Sequence, residues 1–160
     1  MYRDITTEEL SQAIQWMIHF RNEQVNPTVF NLDFPTTLEE CDGPNRTAVF
    51  RYHTYPWMSN LNQVVHGGMT AALLDVSMAT LNISLYGVVT PTLNMTVNYT
   101  RAVPLNQDIL VRVQAAATGS STAHMTAWLY LPGEINRPLA TANGLYYTAQ
   151  AVRDNHTDLL

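Results

Sequence analysis

The segment GGMTAALLDVSMATLNISLY, residues 67–86, limits the fold more than any other part of the chain. It holds one carboxylate, Asp75, and no basic residue. On a helical wheel Thr70, Ser77, Thr80 and Ser84 share one arc of about 80°. Asp75 and Asn82 lie far from that arc, and Met69, Ala71, Ala72, Leu73, Val76 and Ala79 fill much of the rest. A helix that is apolar nearly all round is buried. The remainder of the chain must therefore cover it.

Strands are available for that task. Segment 92–100, TLNMTVNYT, alternates Leu93, Met95, Val97 and Tyr99 against Asn94, Thr96, Asn98 and Thr100. Segment 108–118 turns Ile109, Val111, Val113 and Ala115 inward, and 122–131 does the same with Ala123, Met125, Ala127 and Leu129. Segment 138–149 closes the set. Gly119-Ser120 and Pro132-Gly133 mark short turns, so these strands form an antiparallel sheet. Upstream, 47–54 reads as a strand and 28–34 as a short one, with 36–46 a loop or hairpin connection between them. Residues 6–22 read as an amphipathic helix with a Thr6–Glu9 capping box and a Leu10, Ile14, Met17, Ile18 stripe. An α+β fold follows, a sheet curled around one long central helix with an extra helix at the N-terminus. The 160 residues suit one domain, with 1–26 as a helical extension and 27–150 as the core.

Composition removes several function classes. There is no lysine, which excludes lysine Schiff-base and P-loop chemistry. The eight arginines are scattered, so no basic stripe exists for nucleic acid. Cys41 is the only cysteine, no His or Cys set has metal-ligand spacing, and no cofactor motif is present. The expectations are no metal, no cofactor and a cytoplasmic setting, since MYRDITTEEL is too polar and acidic for a signal peptide. No unbroken apolar run reaches the ~18 residues of a membrane span. Charged residues are only 13% of the chain, about half the usual share, which hints at a surface hidden by a partner.

Asp75 needs an explanation, because an unpaired buried carboxylate is costly. It makes a buried hydrogen bond, reaches water, or has a chemical task. Just upstream, His66-Gly67-Gly68 opens the helix. Two glycines there cost about 1 kcal/mol each relative to alanine. They bare the backbone N–H groups at the positive end of the helix dipole, where a carbonyl oxygen becoming an oxyanion would fit. They equally permit a tight turn or close strand packing.

Together, Asn60, His66, Gly67, Gly68 and Asp75 form the pattern N-x5-H-G-G-x6-D, followed by a strand ending NYTRAV. This resembles the hotdog-fold acyl-CoA thioesterases, the phenylacetate-degradation type and related thioesterase superfamily members most of all, over roughly residues 45–150. The resemblance implies a hotdog fold, a homodimer with one continuous sheet, and in many members a tetramer of two dimers. It implies active sites at the dimer interface. The Gly67 N–H and the Asn60 side chain would polarise the thioester carbonyl. Asp75 of the other subunit would serve as general base or nucleophile, and Thr92 would help hold the water. His66 would shape the loop, with Gly68, Val65 and Met69 beside the substrate and Arg101 within reach of a CoA phosphate. Where many relatives have glycine, three residues after the asparagine, this chain has Gln63.

The implied activity is hydrolysis of acyl-CoA to a carboxylate and free CoA. A non-catalytic acyl-CoA or small-molecule binder on the same scaffold is the alternative, because fold does not fix function. A hydratase acting on a β-hydroxyacyl thioester has less support, since His66 and Asp75 lack the expected signature. Val64, Val65, Met69, Met58 and Trp57 suit an apolar or aromatic acyl tunnel and equally a core.

Overall fold

A computed structural model describes residues 4–21, 35–87, 89–119 and 121–148. Helix α1 spans Thr7–His19 and α2 spans Gly67–Tyr86. The strands are β1 Thr36–Asp42, β2 Thr47–His53, β3 Thr92–Tyr99, β4 Asp108–Thr118, β5 Thr122–Tyr130 and β6 Ala140–Tyr147. They form one antiparallel sheet in the order β1-β2-β4-β5-β6-β3.

α2 lies against the inner face of this sheet. Leu73, Leu74, Met78 and Leu81 are fully buried there against Phe50, Ile109, Val111, Met125 and Leu129. By length and composition α2 is apolar enough to cross a membrane, a property that run length alone does not reveal. Its hydroxyl residues interrupt the apolar run without making the helix polar. Thr70, Ser77, Thr80 and Ser84 are all buried. Ser77, Thr80 and Ser84 each donate to the carbonyl four residues back, which satisfies the hydroxyls inside the core. The polar arc therefore faces inward. The half-exposed strip of α2 instead carries Ala71, Ala72, Asp75, Val76 and Ala79. Gly87, at φ 74°, ends the helix in the left-handed conformation that glycine adopts without strain.

One segment differs from expectation. Residues 36–42 form the edge strand β1 rather than a loop. A bulge between Leu38 and Glu40 breaks the period-two pattern, and consecutive glutamates hide the strand signal. Asp42 then caps the turn, accepting from the Asn45 N–H at 2.9 Å. The strand expected at 28–34 lies outside the described residues.

α1 begins with the expected capping box, in which the Glu9 N–H donates to Thr6 Oγ1 and the Thr6 N–H to Glu9 Oε2. The helix packs on β1 and α2 through Leu10, Ala13 and Ile14. Gly43 seats its N-terminus, donating to Thr7 Oγ1 at 3.1 Å. A Cβ at Gly43 would stand 2.4 Å from the Thr6 backbone. Gly43→Ala is therefore expected to cost about 1–3 kcal/mol, read as a lower denaturation midpoint.

The second edge, β3, is exposed along most of its length. Met95 and Val97 pack on the core, but Leu93 and Tyr99 are 53% and 56% exposed. A strand with open backbone groups and bare apolar side chains invites another strand.

Candidate active site

Two clusters sit at opposite ends of β3. The first surrounds the start of α2. His66 is the N-cap, and its Nδ1 accepts the Gly68 N–H at 2.9 Å. That bond requires a neutral ring with its proton on Nε2. His66→Ala is expected to lose about 1 kcal/mol of stability. His66→Asn should recover much of it, which thermal melts of the two variants will show. Gly67 is the first helical residue, so its N–H has no intrahelical acceptor. The Tyr99 hydroxyl donates to the Gly67 carbonyl at 3.0 Å, and the ring stands beside the glycine.

Asn60 shapes the loop before the helix. Its Oδ1 accepts the N–H of Asn62 at 2.8 Å and of Val64 at 3.4 Å. The side-chain NH2 is the end that can donate to a ligand. Gln63 has φ 60°, a conformation that favours glycine.

The second cluster surrounds Asp75. Thr92 Oγ1 donates to Asp75 Oδ1 at 2.9 Å. The Tyr146 hydroxyl donates to the same oxygen, also at 2.9 Å. Thr92 and Tyr146 are cross-strand partners, so the β3–β6 register delivers both donors together. Burial pushes the Tyr146 phenol far up, and the charge and hydrogen bond of Asp75 push it further, so it remains a donor. Asp75 is thus half-buried and hydrogen-bonded, on a face of small side chains.

Tyr146 is absent from the sequence reading. The signal was available: alternation through Ala140, Ala142 and Gly144 turns Tyr146 inward, and a buried phenol needs a partner. The other expected substrate contacts also have partners within the chain. Val65 is in the core, and its N–H donates to the Val103 carbonyl. Met58 is buried too, while Met69 is partly buried against the core. Arg101 donates to Glu134 and to the Arg137 carbonyl, so the turn between β5 and β6 already engages its guanidinium. Among the described residues no group of three His, Cys, Asp or Glu side chains could hold a metal ion.

Within one chain the two clusters are far apart. Eight helical steps lead from Gly67 to Asp75, a rise of about 12 Å. One thioester carbon cannot meet both.

A family model described as thioesterase superfamily matches residues 62–133, a span that holds His66, Gly67, Asp75, Thr92 and Tyr99 but neither Asn60 nor Tyr146. The chain has the hotdog fold, and its residues 62–133 are similar to the thioesterase superfamily. Zebrafish thioesterase superfamily member 2 is similar at TM-score 0.72 and 19% identity, covering 90% of this chain and 99% of its own. The E. coli PaaI protein from the phenylacetic acid degradation operon has TM-score 0.69 and 18% identity, covering 87% and 95%. A hypothetical thioesterase of Streptococcus pneumoniae, determined with coenzyme A, has TM-score 0.62 and 22% identity, covering 70% and 86%. No curated protein sequence matches the chain.

Proposed function

We propose that this hotdog protein is an acyl-CoA thioesterase whose active site is built from two subunits. The observation that carries this reading is the placement of the two clusters. The helix N-terminus and the carboxylate are complementary chemistry, yet too distant to cooperate within one chain. The exposed β3 edge brings them together. Thr92, at its start, holds Asp75, and Tyr99, at its end, holds Gly67. Two copies pairing antiparallel across this edge, about a twofold axis, lay the start of one β3 beside the end of the other. Asp75 then approaches the Gly67 of the second subunit. The small-residue strip of α2 leaves room between them for an acyl chain.

In this site the carbonyl oxygen sits at the Gly67 N–H, where the helix dipole and the Asn60 amide favour growing negative charge. Asp75 of the other subunit takes a proton from water. The water oxygen bonds to the carbonyl carbon, the C–S bond breaks, and the thiolate leaves with the proton. The products are a carboxylic acid and a thiol. Coenzyme A with the Streptococcus pneumoniae relative supports CoA as the thiol carrier.

The test is hydrolysis of short, medium, long and aromatic acyl-CoA esters by the purified protein, with a thiol reagent reporting free CoA. The proposal expects turnover on at least one class. Tight binding without turnover on all of them would place the protein among non-catalytic binders.

A further inference from the structure

We infer that Tyr146 is a positioning residue: it pins Oδ1 of Asp75, so that Oδ2 is the oxygen that takes the proton from water. The inference rests on the thioesterase reading above. Both described donors, Thr92 and Tyr146, converge on Oδ1 at 2.9 Å. Among the described residues no hydrogen bond reaches Oδ2. A carboxylate held at one oxygen by two fixed donors has lost rotation about its Cβ–Cγ bond. Charge-assisted bonds also draw negative charge toward the oxygen that receives them. Oδ2 is left with open lone pairs.

The arrangement is built into the packing. Tyr146 is fully buried and its hydroxyl ends on α2, 3.3 Å from the Asp75 carbonyl as well. Gly144 makes the approach possible. A Cβ there would stand 2.8 Å from Tyr146 Cε2 and 3.1 Å from Met78 Cε. The missing side chain lets the ring cross β6 toward the helix.

Other titratable and charged groups near α2 are engaged elsewhere. Tyr52 of β2 shares a hydrogen bond with Ser77, Arg21 beyond α1 donates to Thr80, and Tyr99 of β3 donates to Gly67. Strand alternation turns Arg112 of β4 and His124 and Tyr130 of β5 to the opposite face of the sheet. His66 caps the helix two turns away.

Tyr146→Phe keeps the ring and removes the hydroxyl. The expected kcat loss is on the order of 10- to 100-fold, the scale of one charge-assisted hydrogen bond, with KM nearly unchanged. The carbon-13 signal of the Asp75 carboxyl at neutral pH, without substrate, should change, because one of its two donors is gone. A purely structural tyrosine would lower the melting temperature and leave the kcat of the folded enzyme in place. Wild-type kcat in the folded phenylalanine variant, or a loss carried by KM instead, overturns the assignment of Tyr146 alone. A wild-type protein that hydrolyses no thioester overturns the thioesterase reading together with it.

Discussion

Gly67→Pro is expected to abolish most turnover while leaving the fold intact. Proline has no backbone N–H, so the change deletes the backbone donor assigned to the oxyanion. Proline is tolerated and even favoured at the first helical position. Gly67 occupies that position. The residue before a proline must be extended, and His66 already is, at φ −59° and ψ 138°. A Cβ at Gly67 would lie 3.5 Å from the Tyr99 ring, an ordinary contact. Loss of one oxyanion donor costs about 10²–10³ in kcat. The melting temperature should hold or rise, since glycine is the poorer residue at a helix start. Gly67→Ala adds the same Cβ and keeps the N–H, so it should retain most activity. Full turnover in the proline variant would exclude the Gly67 N–H as the oxyanion donor.

Asp75→Asn is expected to lower kcat by about 10²–10⁴, the usual contribution of a general base. Asparagine keeps the shape of the side chain and an oxygen to accept from Thr92 and Tyr146. Folding and acyl-CoA binding should therefore survive, and calorimetry with a slowly hydrolysed acyl-CoA analogue can check the second. The pairing of lost turnover with retained binding separates a catalytic Asp75 from a structural one. An Asp75→Asn protein that turns over like wild type would leave the carboxylate as a buried hydrogen-bond acceptor only.

Much of this architecture was legible in the residues. The nearly uniform apolarity of 67–86 required burial, and the alternation in β4 and β5 named the inward side chains that cover it. Other features depend on pairing that local patterns do not carry. β1 was hidden because a bulge shifts its period and its glutamates face water. β3 alternates cleanly, but which apolar residues are bare follows from its place at the sheet edge. The inward polar arc of α2 is tolerated only because its hydroxyls bond to the helix itself. At the candidate site, the bond from Thr92 to Asp75 spans 17 positions and that from Tyr146 spans 71. Both arise from strand register, and the resemblance pointed to Thr92 alone. Asn60 was expected as a ligand contact, and its oxygen also ties the loop that presents the helix.

The account turns on a site shared between subunits, and a mixed dimer tests that most directly. Gly67→Pro and Asp75→Asn chains, tagged differently and co-expressed, can be purified as the heterodimer. In a shared site, Gly67 of one chain meets Asp75 of the other. Each heterodimer then contains one intact site and one with both defects, so about half of the wild-type activity returns from two inactive parents. If the donor and the carboxylate of one chain worked together, every site would carry a defect. A heterodimer no more active than its parents would contradict the shared site.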